Sequence, residues 1–238
     1  KMFCIVLFFI SILNVNSAIV DEAIASFTFE GSNRLASSQK SSYAVECHCR
    51  AGLQTTDAAA GSGALATFSA DENQSTPCLS HCLTTTSDAM FATAGVTRFS
   101  MCIAVFHTGA ARRDGIMVAV PGGYLRSLDG DDASRSNQRF RFSLTGLGQS
   151  EGFVPRLATG TWHHICGVYD GSTIDTYVNC NAQSCNPVNS LPVSPPNQNI
   201  GNDANCGGGV TFGKRCGVSG NNGFTGYLDE FYLFHKAL

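Results

Sequence analysis

The chain alternates apolar and polar positions in short runs separated by turn residues. From Trp162 to Tyr169 the even positions carry Trp162, His164, Cys166 and Val168, and the odd ones His163, Ile165, Gly167 and Tyr169. Apolar groups on both sides mark a strand covered on both faces. Asp170-Gly171 reads as a turn, because Asp can bond its own backbone and Gly tolerates positive φ. Thr173 to Val178, rich in β-branched and aromatic residues, then reads as a returning strand. Further strands are predicted over Ala23–Glu30, Tyr43–Cys49, Ala64–Ser69, Arg98–Phe106, Gly115–Val120, Tyr124–Leu128 and Arg139–Leu144. In the last of these Phe140, Phe142 and Leu144 share one face, and Arg139, Arg141 and Ser143 share the other, a strand with one wet side. Thr108–Asp114, Pro121-Gly122-Gly123 and Asp129–Asn137 are the connecting turns. Asp71–Asp88 and Asn197–Gly209 read as loops. Helix signals are weak and no repeat stands out. Many short strands with turn residues between them predict an all-β sandwich.

The first residues belong to a different class. Met2 to Leu13 is a short apolar run after Lys1, followed by the small residues Val15, Ser17 and Ala18, which suits a signal peptide over residues 1–18. A signal anchor is the alternative, although the run falls short of the roughly 20 residues that span a bilayer. Residues 19–238 are expected to form one domain, secreted, with no membrane insertion once the signal is removed. At 238 residues the chain suits one large all-β unit. Its net charge of −3, with 14% charged residues, gives no basic surface for nucleic acid.

The cysteines agree with export. Cys4 lies in the signal, and ten remain: Cys47, Cys49, Cys78, Cys82, Cys102, Cys166, Cys180, Cys185, Cys206 and Cys216. An even number in a secreted chain implies a disulfide framework. Spacing does not fix the connectivity. Cys180–Cys185 and Cys206–Cys216 would close local loops, leaving Cys47, Cys49, Cys78 and Cys82 to pair among themselves. Cys47-His48-Cys49 and Cys78-Leu79-Ser80-His81-Cys82 could also supply zinc with four ligands, but an oxidising compartment favours disulfides. Asn73-Gln74-Ser75 is a glycosylation sequon, placing Asn73 on the surface.

The segment Trp-His-His-Ile-x-Gly-Val-Tyr-Asp-Gly-Ser-Thr-Ile-x-x-Tyr-Val-Asn, beginning at Trp162, resembles the central hairpin of the laminin-G-like jelly-roll domains. These are a pentraxin-related branch of the concanavalin A-like lectin/glucanase superfamily. Other segments agree in order. Phe27-Thr28-Phe29-Glu30-Gly31-Ser32-Asn33 is similar to the family's first strand, and Arg98–Phe106 to a later one. Gly201, or Gly213 in Val210-Thr211-Phe212-Gly213, is similar to the Gly that closes the family's next strand. Phe224–Phe234, followed by His235-Lys236-Ala237-Leu238, is similar to the last. The resemblance runs from about Ala23 to Leu238. It implies an antiparallel, disulfide-stabilised jelly-roll sandwich, and it implies Cys102–Cys166, since pentraxins bridge the matching strands. It also implies calcium. Glu30 and Asp229, with Asn33 nearby, match a structural site of the family, and Asp114 and Asp203 match pentraxin ligands. Oxygen ligands of this kind suit a hard cation.

Catalysis finds little support in the residues. A retaining glycosidase needs two carboxyls about 5–5.5 Å apart. The glucanase pattern Glu-x-Asp-x-x-Glu is absent, and Asp229 and Glu230, being adjacent, are expected to point to opposite faces. Asp129, Asp131 and Asp132 crowd into a turn. No nucleophile motif accompanies His163 and His164, which are expected to pack beside Trp162; that Trp is itself expected in the core, with a sugar-stacking role as the alternative. The expectation is a non-catalytic binding module whose partner is a glycan or glycoprotein, with calcium as a possible cofactor. A protein-binding adhesion module is the second reading and a glycoside hydrolase the third.

Overall fold

The computed structural model describes residues 23–27, 29, 45–48, 52–54, 64–67, 81–84, 93–108, 115–128, 137–155, 157–180, 185–201, 209–213 and 223–238, with backbone alone for 45–48, 52–54, 65–67, 81–84, 137 and 153. These residues form strands β1 (Ala25–Phe27), β2 (Val45–His48), β3 (Gly52–Gln54), β4 (Ala64–Thr67), β5 (His81–Thr84), β6 (Phe99–Phe106), β7 (Gly115–Val120), β8 (Gly123–Leu128), β9 (Asn137–Leu144), β10 (Gly148–Pro155), β11 (Trp162–Tyr169), β12 (Thr173–Val178), β13 (Asn189–Pro192), β14 (Thr211–Phe212) and β15 (Gly226–Phe234). The first sheet runs β13-β12-β11-β6-β15-β4-β3, with β1 also on β15; the second runs β10-β9-β8-β7-β14-β5-β2. All pairings between these strands are antiparallel. The all-β sandwich expected from the sequence is what forms. Among the described residues no helix is long and apolar enough to cross a membrane.

One core lies between the sheets, and strand alternation fills it. Phe99, Met101, Ile103 and Val105 of β6 meet Ile165 and Tyr169 of β11 and Leu228, Phe231 and Leu233 of β15. The second sheet contributes Met117, Val118 and Val120 of β7, Leu125 of β8, and Phe140, Phe142 and Leu144 of β9. The expected one-sided pattern of β9 is therefore observed. Gly167 lies on the inner side of β11, where a Cβ would come within 2.3 Å of Phe142 Cγ. The absence of a side chain there lets the Phe142 ring reach across and stack on Phe99, with centroids 6.4 Å apart and planes 9° apart.

The hairpin β11–β12 turns as expected. Asp170 Oδ1 accepts from the backbone N–H groups of Ser172 and Thr173, each at 2.7 Å, and Gly171 takes φ 95°. Those bonds favour the ionised carboxylate and hold its pKa below the usual value despite opposing desolvation. Several strands exceed the sequence reading. β5 lies inside the stretch read as a loop, because its four residues are too few to show a period. β10 was not expected either. Its pattern Gly-Gln-Ser-Glu-Gly-Phe-Val-Pro carries few apolar residues, and its pairing with β9 (Gly148↔Leu144 through Pro155↔Asn137) supplies what the pattern lacks.

Cys102 and Cys166 face each other across β6 and β11 and are bonded, with Cα atoms 4.2 Å apart. Cys180–Cys185 is bonded as well. The β2–β5 register sets Cys47 opposite Cys82. Cys49, Cys78, Cys206 and Cys216 lie outside the described residues, as does Asn73.

Two substitutions test this packing. Gly167→Ala is expected to overpack the contact with Phe142 and cost about 1–3 kcal/mol, read as a lower urea midpoint at unchanged m value. Replacing both Cys102 and Cys166 by Ala opens a link spanning 64 residues of sequence. By loop-closure entropy it should cost about 4 kcal/mol, measured by the same denaturation curves.

Candidate functional site

The outer face of the first sheet can be built from the register. Where Phe99, Met101, Ile103 and Val105 point inward, Ser100, Cys102, Ala104 and Phe106 must point outward. Their partners on β11 and β15 lie on the same face. Phe106 stands between Trp162 and Tyr227, Ala104 between His164 and Asp229, and Cys102 between Cys166 and Tyr232. The C-terminal end of the chain covers one part of this face. Ala237 and Leu238 pack on a second apolar cluster of Cys102, Cys166, Val168, Tyr177 and Cys180, and Ser100 Oγ donates to the Lys236 carbonyl at 2.8 Å.

At the other end three aromatic rings line up. Phe106 lies 5.4 Å from Trp162 and 5.3 Å from Tyr227, centroid to centroid, the latter pair stacked with planes 23° apart. All three are only partly buried. Trp162 therefore does not sit in the core as expected; it opens β11 on the outer face, the side turned away from the second sheet. Gly226 makes the row possible, since a Cβ there would come within 2.2 Å of the Phe106 carbonyl oxygen. Only glycine lets β15 start this close to β6.

Beneath the row the histidines are held, not free. His163 Nδ1 accepts from the Asn179 side-chain amide at 2.9 Å, while Asn179 Oδ1 accepts from the His164 backbone N–H at 2.9 Å. That leaves His163 Nε2–H to donate to the Ala158 carbonyl at 3.0 Å. His164 is buried, and desolvation lowers its pKa to about 3. Its Nε2 lies 3.5 Å from Cys166 Sγ. The ligand atoms of Cys102, His164 and Cys166 fall within 4.8 Å of one another, but the two sulfurs are bonded to each other, and zinc binds thiolates. The trio is a packed disulfide with a neutral imidazole beside it.

Asp229 and Glu230 correct a second expectation. They were expected on opposite faces, yet the register slips between Asp229 and Tyr232. Leu228 and Phe231 both enter the core, so the bulge turns both carboxylates outward. Glu230 takes φ 49° and accepts a hydrogen bond from the Tyr232 hydroxyl. Asp229 is fully buried, and its Oδ1 accepts from the Glu230 N–H at 2.8 Å. The bulge also marks where β15 changes partner, from β4 at Gly226–Leu228 to β1 at Phe231–Leu233. Of the expected calcium ligands only Asp229 is described; Glu30, Asn33, Asp114 and Asp203 lie outside the described residues.

Phe106 and Tyr227 were not singled out from the sequence. Their signal was present in the spacing Cys102, Ala104, Phe106, which puts Phe106 on the face opposite the core.

A two-layer antiparallel jelly roll with its main apolar core between the sheets is the class that this geometry defines. Residues 83–238 match the laminin G-type profile of the concanavalin A-like lectin/glucanase superfamily, and the chain belongs to that superfamily. No curated protein matches the chain in sequence. Among solved structures, the chain is similar to one of botulinum neurotoxin type C, a toxin whose cell entry is described as dependent upon interaction with two ganglioside molecules. The TM-score is 0.61 at 12% identity, covering 93% of this chain and 50% of that one. It is similar to the binding domain of botulinum neurotoxin DC in complex with rat synaptotagmin II, at TM-score 0.60 and 12% identity, covering 92% and 49%. It is also similar to domain 4 of an extracellular arabinanase from Geobacillus stearothermophilus in complex with arabinotriose, at TM-score 0.53 and 13% identity, covering 91% and 94%. The chain spans about half the length of the neurotoxin chains. At these identities the likeness is one of fold.

The buried His164 sets a pH dependence. Its folded pKa lies below its unfolded value of about 6.5, so its contribution is complete above pH 6.5 and is lost as pH falls toward 3. Between pH 6.5 and 5.5 the domain should lose about 1 kcal/mol through this group. The check is denaturation at both pH values, with His164→Gln showing a flatter profile.

Proposed function

We propose that this chain is a secreted, non-catalytic module that recognises glycans or glycosylated surfaces through the row Trp162, Phe106 and Tyr227. The observation that carries the reading is the row itself: three partly exposed aromatic rings in line on a sheet face. Pyranose rings present flat C–H faces, and aromatic side chains offer rigid apolar area of matching shape with little entropy to lose. Tyr227 adds a hydroxyl for polar contact. The histidines beneath are tied into hydrogen bonds or packed against sulfur, which suits a rigid floor better than proton transfer. The arabinanase domain in complex with arabinotriose, and the neurotoxin whose cell entry depends on gangliosides, support the reading by analogy of fold. Calcium, if bound, would draw on Asp229 and the residues grouped with it in the sequence, Glu30 and Asn33.

The test is a glycan array of the oxidised, secreted domain in calcium and again in chelator, with Trp162→Ala beside wild type. Saturable binding to a subset of glycans is expected, weakened about 30-fold by Trp162→Ala if the residue is an anchor worth about 2 kcal/mol. Loss in chelator would add calcium to the account. A folded wild-type domain binding no glycan in either buffer, or a variant binding as well as wild type, would overturn it.

A further inference from the structure

The disulfide that joins β6 to β11 has a third neighbour. His164 and Cys166 stand two residues apart on β11, so both project from the outer face, and Cys102 stands directly opposite Cys166 on β6. Two positions on one strand and one across from it bring three metal-ligating atoms together. The sulfurs of Cys102 and Cys166 and a ring nitrogen of His164 all lie within 4.8 Å of one another. His164 Nε2 is 3.5 Å from Cys166 Sγ. Zinc sits about 2.3 Å from sulfur and about 2.0–2.1 Å from an imidazole nitrogen, and a tetrahedral angle then sets two such ligands roughly 3.5 Å apart. The imidazole therefore already stands at the distance that a shared zinc ion requires. Ala104, the residue opposite His164, adds only a methyl group beside it.

All three residues are buried. Cys102 and Cys166 belong to the apolar cluster on which Ala237 and Leu238 pack, and His164 is 5% exposed. In the bonded state the sulfurs are not thiolates and hold no zinc. Reduction by a phosphine or a thiol changes that. The S–S bond breaks, and each sulfur takes up one electron and one proton. Zinc then displaces the two protons and binds two thiolates and the neutral imidazole, leaving its fourth tetrahedral position to water. The covalent link and the metal link tie the same opposite positions. Either one holds β6 and β11 in the register that sorts core from surface.

We propose that Cys102, His164 and Cys166 form a redox-exchangeable zinc site: the reduced chain holds one zinc ion there, and oxidation to Cys102–Cys166 expels it. With a small-molecule disulfide as oxidant the exchange balances. The two thiolates lose two electrons and form one S–S bond. The added disulfide gains those electrons and two protons to become two thiols, and zinc leaves as the divalent ion. Among the described residues these are the three ligands close enough to share an ion. Two sulfurs and a nitrogen suit zinc and exclude calcium, which takes oxygen ligands. The site does not rest on the saccharide reading of the aromatic row.

The experiment uses the full chain, reduced with a phosphine under nitrogen, loaded with zinc and dialysed. Zinc is counted by atomic absorption, and cobalt in its place reports sulfur ligation by charge-transfer absorption. The other cysteines are reduced too, so the reading is a difference between chains. Wild type is expected to retain one more zinc ion than Cys102→Ser with Cys166→Ser. His164→Gln should bind that ion at least tenfold more weakly, because even changes outside the ligand set of a zinc site cost about 10–100-fold in affinity. A second measurement needs no variant and so survives any failure of one to fold. Oxidised glutathione added to zinc-loaded wild type should release one equivalent of zinc at the rate at which Cys102–Cys166 forms, followed by peptide mapping. Equal zinc content in wild type and the double variant overturns the proposal. So does unchanged affinity in His164→Gln, or formation of Cys102–Cys166 with no release of zinc.

Discussion

The pairing of β6 with β11 is the constraint on which the rest of the molecule depends. Eight residues of each strand run in one unbroken register, from Phe99↔Tyr169 to Phe106↔Trp162, and Cys102–Cys166 locks that register from the outer side. A slip of one residue would turn every side chain to the wrong face. Phe99, Met101, Ile103 and Val105 would leave the core, and Phe106 would enter it. The disulfide thus defends both the interior and the surface. Gly167 and Phe142 transmit the same register to the second sheet, since the ring from β9 fits only where β11 lacks a side chain.

Given that register, the two outer faces acquire distinct chemistry. On the first sheet, the cluster around the disulfide is covered by Ala237 and Leu238, and the aromatic row at the far end is partly buried. The bulge at Asp229 and Glu230 joins these halves. It lets β15 pair with β4 on one stretch and β1 on the next, and it brings two carboxylates to the same face as Tyr232. Glu230 takes a left-handed backbone conformation to do so, at a cost of roughly 1–2 kcal/mol for a residue other than glycine. On the second sheet, arginines replace aromatics. The two outer faces thus differ, with aromatic rings on the first sheet and arginines around Glu151 on the second.

Much of this was legible in the sequence, for identifiable reasons. β6, β11 and β12 carry long, strongly patterned runs, and the Asp170-Gly171 turn between the latter two has its own chemistry. The Cys102–Cys166 bridge followed from resemblance and is observed. What was missed has several causes. β5 has four residues, too few for a period, and β10 is polar because its neighbours do the packing. Trp162 was expected in the core, although the alternation that sends Ile165 and Tyr169 inward puts it on the outer face. Asp229 and Glu230 were assigned to opposite faces by strict alternation, which a bulge breaks without leaving any mark in the local sequence. The arginines of β9 were visible as a wet face, but their meeting with Arg126 and Glu151 depends on which strands become neighbours.

Trp162 is the only tryptophan in the chain, so the central claim can be read from its emission. The decisive measurement is a fluorescence titration of the folded, oxidised domain with a neutral oligosaccharide selected by binding, alongside calorimetry on the same pair. If the aromatic row is the saccharide site, the indole emission shifts and saturates with the midpoint that calorimetry gives. Binding that saturates by calorimetry while the Trp162 emission stays flat would place the saccharide elsewhere and contradict the account.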